Sequence, residues 1–231
     1  MWDSRASNGP VAVEVLATRL NVPLNDYAVG GAKSDFDNLN GWPNTGGLGQ
    51  VAQFKTELKG QSADPQALYF VMIGGNDFLE KTSVDNPALT DKVVDNITMG
   101  VTQLAQLGAK RFLVIADDAI APLPFVTTAG YARKAVEFQT LLDSKLSDRI
   151  DKLKSQLKIE ITTFDYTALD AKIRKNPSAY GLTNVTDTCK PWLEVKPICA
   201  TPDQYYFWDE IHPTRRVHQI FGEAWAALFG K

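Results

Sequence analysis

Ala67-Leu68-Tyr69-Phe70-Val71-Met72-Ile73 runs directly into Gly74-Gly75-Asn76-Asp77. An unbroken apolar run ended by a glycine pair predicts a strand buried on both faces. Strands of that kind belong to parallel sheets covered by helices, so this stretch decides the fold class. The sequence after it repeats the pattern. Leu89 to Leu107 carries Val93, Ile97, Val101 and Leu104 on one helical stripe, and Gly108 supplies a C-terminal cap. Arg111 to Ala116 is a second apolar strand, followed by a turn-rich loop from Asp117 to Pro124. Tyr131 to Leu157 reads as a long amphipathic helix, Ile159 to Phe164 as a strand, and Tyr166 to Arg174 as a short helix.

Toward the N-terminus, Leu48 to Leu58 predicts a helix, and Asp35 to Gly47 a loop rich in Asn, Asp and Gly. Leu24 to Val29 predicts a short strand ending at Gly30-Gly31. Val11 to Leu20 predicts a helix opened by Asn8-Gly9-Pro10. At the other end, Asn176 to Tyr206 reads as mostly loop and Pro213 to Phe229 as the closing helix, with Pro213 at its first position. Alternating strands and helices predict a single α/β domain over residues 1–231, a parallel sheet with helices on both faces. Binding sites in such sheets gather where strands end.

Bulk properties restrict the function. The 231 residues are 44% hydrophobic and 22% charged, which suits a globular protein with a sizeable core. A net charge of −3 argues against nucleic acid or an anionic membrane surface as the main partner. No apolar run approaches the roughly 20 residues that span a bilayer. Cys189 and Cys199 are the two cysteines. They form either a disulfide that pins the long loop, which points to an oxidising compartment, or two free thiols. Their spacing fits no zinc pattern. Asn96-Ile97-Thr98 and Asn184-Val185-Thr186 match the N-glycosylation triplet, which arises often by chance. Together these features favour a secreted or periplasmic protein.

Three segments carry chemistry. Asp209-Glu210-Ile211-His212-Pro213-Thr214 sets a carboxylate three residues before a histidine. A catalytic imidazole needs a carboxylate on one ring nitrogen, to fix its tautomer and stabilise the imidazolium. The alternative is a surface Asp and a half-buried His at a helix start. Gly31 follows a predicted strand, so its N–H can donate to a developing oxyanion, or the glycine serves only the turn. Asn76 follows the buried strand and offers a second donor, or an Asx turn. Asp77 is a brace for that loop. His218 reads as structural, and Tyr205, Tyr206, Phe207 and Trp208 as packing. Trp42 is a weaker candidate for lining a ligand site.

With these residues in view, the chain resembles the SGNH superfamily of GDSL-type esterases and lipases. Asn25-Asp26-Tyr27-Ala28-Val29-Gly30-Gly31-Ala32 resembles its glycine block, Gly74-Gly75-Asn76-Asp77 its Gly-x-Asn-Asp block, and Asp209 to Thr214 its Asp-x-x-His block. Ser7 to Glu14 and the approach from Cys199 to Trp208 are also similar to the longer members. The resemblance implies a flavodoxin-like three-layer α/β/α sandwich. It implies hydrolysis of carboxylic esters, of small-molecule, lipid or sugar type, through an acyl-serine intermediate. The oxyanion would be held by Gly31 and Asn76, with His212 as base and Asp209 as its orienter. No metal or organic cofactor is implied.

The nucleophile block departs from the pattern. The family places a strand before Gly-Asp-Ser, and here only Trp2-Asp3-Ser4-Arg5 is available, with no room for a strand of about five residues before Ser4. Ser4 is therefore a weak nucleophile candidate. The expectation is an N-terminally truncated hydrolase domain lacking its first strand, with a complementing N-terminal segment as partner. A relative that keeps the fold and binds a ligand without hydrolysis is the alternative.

Overall fold

The computed structural model describes residues 5–80, 85–116, 119–192 and 196–231. Two compact units organise the chain. One comprises residues 27–121 and 131–166, the other residues up to 26 together with 122–130 and 167–231.

The first of these units holds a parallel sheet of β1 (Leu68–Met72), β2 (Arg111–Ile115) and β3 (Glu160–Thr163), in the order β1-β2-β3. Leu68 pairs with Arg111 and Met72 with Ile115, while Arg111 pairs with Glu160 and Val114 with Thr163. Parallel neighbours need long crossovers. These are α4 (Asn86–Leu107) and α6 (Ala132–Leu157), which pack on each other. Val93, Ile97 and Val101 of α4 and Phe138, Leu142 and Leu146 of α6 are buried, as the helical stripe requires. Phe112 to Ile115 of the central strand are buried as well. The unit also contains α2 (Gly47–Glu57) and the short α3 (Gly75–Glu80). Gly108 caps α4 as predicted. Parallel strands flanked by helices give the α/β class expected from the sequence, consistent with the SGNH fold.

The other unit pairs α1 (Ala12–Leu20) with α8 (Arg215–Ala227). Leu16 and Ala17 of α1 and Val217, Phe221 and Trp225 of α8 are buried. The two backbones come so close that a Cβ on Gly222 would lie 2.5 Å from the Ala12 carbonyl oxygen. The unit also contains α5 (Pro124–Thr128), most of α7 (Tyr166–Lys175), and a parallel pair of β4 (Asn184–Thr188) and β5 (Tyr205–Phe207).

Four expectations need correction. Leu68 to Met72 is a strand, but it is half-buried along its whole length rather than buried on both faces, since it stands at the edge of the described sheet. Leu24 to Val29 is not a strand; it is largely exposed and joins no ladder, and Asn25-Asp26 are poor strand residues. Asn176 to Tyr206 is less loop-like than expected. It contains β4, the start of β5 and two 3₁₀ turns, Pro177–Tyr180 and Pro202–Gln204. The polar run Asn-Val-Thr-Asp-Thr becomes a strand only because a later segment pairs with it. Finally, Pro213 lies before the closing helix, which is capped by Thr214. The Thr214 N–H donates to the Tyr206 carbonyl and its Oγ to the Tyr205 carbonyl, so this backbone still belongs to the preceding turn.

Candidate active site

In the sheet-bearing unit, the structure brings Gly31 and Asn76 together. Asn76 is the second residue of α3, just beyond β1. Its Nδ2 donates to the Ala32 carbonyl at 2.9 Å, one residue past Gly31. An amide nitrogen carries two hydrogens, so one N–H remains for another acceptor. Gly31 has φ +81°, and a Cβ there would lie 2.6 Å from Asn38 Oδ1 and 2.5 Å from Asn40 Nδ2. Both facts require glycine. Among the described residues, nothing accepts the Gly31 N–H, and the residue is partly open to solvent. Asn38 and Asn40 donate to the Gly30 carbonyl at 3.0 and 3.2 Å and hold the turn in shape.

A charged clasp lies under these two donors. Asp77 is buried and accepts the Ser34 N–H at 2.7 Å and the Ser34 hydroxyl at 2.8 Å. Asn96 of α4 donates to Ser34 Oγ at 2.9 Å. Burial pushes the Asp77 carboxyl above its ordinary range, against the lowering effect of the Ser34 bonds. Next to it, Lys33 is buried with Glu80 at 2.8 Å and Asp37 at 3.5 Å. Burial alone would lower Lys33, but these acids outweigh it and hold the ammonium above its usual range.

In the other unit, Asp209 and His212 form the pair expected from their spacing. His212 Nδ1 lies 2.8 and 3.0 Å from the two Asp209 carboxylate oxygens. A carboxylate can only accept, so Nδ1 carries the proton and Nε2 keeps its lone pair. Asp209 Oδ1 also takes the N–H groups of Ile211 at 3.0 Å and His212 at 2.8 Å, and the Trp208 N–H closes onto the His212 carbonyl at 2.8 Å. The aspartate thus builds the turn and orients the ring. It is buried at 8% exposure, whereas the His212 side chain is 40% exposed. The carboxylate is thus shielded while the imidazole side chain reaches solvent.

The remaining residues sort as follows. Cys189 and Cys199 form the disulfide, with Cα atoms 4.8 Å apart. Tyr206, Phe207 and Trp208 are buried, as packing residues should be. Arg174 stacks its guanidinium 4.3 Å over the Tyr206 ring. His218 is structural: its Nδ1 accepts the Ala12 N–H at 3.3 Å, at the start of α1. Burial, then the charge of His212, lowers it to about 4. Ser4 and the Asp117-Asp118 pair lie outside the described residues. Trp42 is exposed in its loop. The groove lined by Met99, Thr102, Arg149 and Lys152, between α4 and α6, includes none of the candidate residues.

The sequence reading missed the Lys33–Glu80 pair, the Asn96–Ser34 bond and the ring of Trp192 against His212. In the sequence Asn96 stands out only as part of a glycosylation triplet. None of these contacts leaves a local signal, since each joins residues distant in the chain.

Comparison with known proteins decides the relationship. The profile of the GDSL-like Lipase/Acylhydrolase family matches residues 1–225. The chain belongs to this family. Among relatives of the GDSL group, an esterase/lipase of Arabidopsis thaliana is 25% identical over 181 residues, 68% of this chain and 47% of its own length. A second from the same plant is 25% identical over 279 residues, 95% of this chain and 78% of its own. The thermolabile hemolysin of Vibrio parahaemolyticus is 26% identical over 240 residues, 94% of this chain and 54% of its own. The chain spans about half the length of several of these curated relatives.

Proposed function

We propose that the protein carrying this chain is a serine ester hydrolase acting on carboxylic esters. The observation that supports this reading best is the two-oxygen grip of Asp209 on His212 Nδ1, which leaves Nε2 accessible as a base. In this reading residues 1–231 serve as one hydrolase domain. The nucleophile is a serine hydroxyl, carried by Ser4 or by a complementing segment.

His212 Nε2 takes the serine proton as Oγ bonds to the ester carbonyl carbon. The carbonyl oxygen becomes an oxyanion and accepts the Gly31 N–H and the second Asn76 N–H. The tetrahedral species then loses its alkoxide, which receives the proton from Nε2 and leaves as the alcohol. Water repeats the sequence on the acyl-serine and releases the acid. The chain's own residues supply every proton movement, and Asp209 stabilises the imidazolium at each stage. Substrates are small-molecule, lipid or sugar esters. The disulfide supports a secreted or periplasmic setting.

Hydrolysis of p-nitrophenyl acetate and butyrate by the full reading frame tests the proposal, with His212→Ala as control. The expected result is ester cleavage that drops by several orders of magnitude in the variant. A fluorophosphonate label followed by peptide mass spectrometry identifies the serine. Ester cleavage that is indifferent to His212→Ala refutes the assignment of the base.

A further inference from the structure

The described ends of the disulfide-closed loop are tied to the histidine-bearing segment. The Cys189 N–H donates to the Phe207 carbonyl at 3.1 Å and the Lys190 N–H to the Trp208 carbonyl at 2.7 Å, so the loop begins as an extension of the β4–β5 ladder. Cys199, ten residues on, returns to Cys189 through the disulfide and through its N–H on the Cys189 carbonyl at 2.8 Å. Between these ends, the Trp192 N–H is held by both carboxylate oxygens of Glu210, at 3.0 and 2.9 Å. Glu210 is a buried acid, 5% exposed, two residues before His212.

The Trp192 ring stands edge-on to the imidazole of His212, with centroids 6.4 Å apart and planes at 89°. Yet 51% of Trp192 remains exposed. Leaving a large indole half in water forgoes apolar burial. A backbone so firmly anchored that nevertheless presents its ring to solvent, beside an accessible base, is built as a contact surface.

We infer that Trp192 is the wall against which the alcohol part of the ester lies. The inference rests on the ester-hydrolase reading above. Its chemistry follows from where His212 must act. Nε2 protonates the departing alkoxide, so the leaving oxygen comes within hydrogen-bond reach of the imidazole. The carbon attached to that oxygen is then carried past the neighbour of the imidazole, which is Trp192. The acyl chain hangs from the carbonyl carbon on the serine side. Trp192 therefore selects aromatic or bulky apolar alcohols over methanol, and Glu210 and the disulfide are positioning groups for it.

The test uses the full protein and two ester series. One holds the acyl group as acetate and varies the alcohol: methyl, butyl, benzyl and naphthyl. The other holds the alcohol as p-nitrophenol and varies the acyl chain. Trp192→Ala keeps the backbone N–H that Glu210 holds, and thermal melts verify its fold. The expected outcome is a loss in kcat/KM of roughly tenfold for benzyl and naphthyl acetates, with methyl acetate changed less than about twofold. Trp192→Phe retains most of the preference. Reduction of the disulfide by dithiothreitol, or the Cys189→Ser/Cys199→Ser variant, reproduces the alanine pattern. A uniform loss across alcohols, or a loss that follows acyl length, overturns the inference while leaving the hydrolase reading intact. Hydrolysis that survives His212→Ala overturns both.

Discussion

Asp77 grips Ser34 with both carboxylate oxygens, one on the backbone N–H at 2.7 Å and one on the hydroxyl at 2.8 Å. The residue before Asp77 donates its amide to the Ala32 carbonyl. Two neighbouring residues on α3 are thus bonded to two nearby residues on the Gly31 loop, and the separation of Gly31 and Asn76 is set by this double tie.

Asp77→Ala removes both acceptors and strands the Ser34 N–H in a buried site. Unfolding free energy should fall by about 3 kcal/mol, because each bond to a charged acceptor contributes roughly 1.5–3 kcal/mol and an orphaned donor adds its own cost. Ser34→Ala should cost about 1 kcal/mol. In ester kinetics the Asp77 variant should lose kcat more than it raises KM, since misplaced donors weaken the transition state first. Denaturant melts and p-nitrophenyl ester assays on both variants check this. Equal effects on kcat and KM would contradict the positioning role.

Asp209→Asn keeps the size of the side chain but turns an acceptor of Nδ1–H into a partner that can also donate. The imidazole then loses both its fixed tautomer and the charge that stabilises its protonated form. The expected effect on kcat is a fall of about 10³–10⁴, the scale found for the equivalent change in serine hydrolases. Asp209 also closes the turn through the Ile211 and His212 N–H groups, so the melting temperature should drop as well. An activity loss below tenfold would show that Asp209 is a turn residue only.

His218 makes the protein sensitive to acid. Burial, with the nearby His212 charge, lowers it from 6.5 to about 4, while Glu14 partly opposes the shift. The unfolded chain therefore binds more protons at this position between pH 6.5 and 4. Stability is fully present above pH 6.5 and is lost as pH falls toward 4, by roughly 3 kcal/mol at most. His218→Gln, which keeps an acceptor for the Ala12 N–H, should flatten this part of the stability–pH curve. Urea melts at half-unit intervals across the window give the slope, and an unchanged slope in the variant would rule His218 out as its source.

Asp143 has the opposite sign. Burial first, and then the charge of Asp165, raises it to about 6. Its contribution is present below pH 3.8 and is lost as pH rises through 6. More than a third of the residue is in contact with water, so screening reduces the cost at neutral pH to about 1 kcal/mol or less. Asp143→Asn should raise the melting temperature at pH 7.5 and leave it unchanged at pH 4. A gain of equal size at both values would point away from ionisation.

Several features were legible because their causes are local. The apolar run at Leu68–Met72 marks a strand of the parallel sheet, and Gly108 ends α4 because only a glycine relaxes there at that φ. The Asp209–His212 contact was legible for the same reason: a three-residue spacing across a tight turn leaves carboxylate and imidazole little choice. The misreadings at Leu24–Val29 and Asn184–Thr188 share one cause. A strand is stabilised by its neighbour, so a good-looking segment without a partner stays irregular, and a polar one beside Tyr205–Phe207 becomes β.

Sequence alone therefore determined the parallel α/β class and the contact of Asp209 with His212, since the first depends on periodicity and the second on spacing within a turn. The tertiary structure alone decided that Asp77 would hold Ser34, 43 residues away, that Asn96 would serve that clasp, and that Trp192 would stand against His212. A lone polar or aromatic side chain has many equivalent partners in the unfolded chain. Which one it meets is settled only when distant segments are packed and an unpaired buried group becomes too costly to keep.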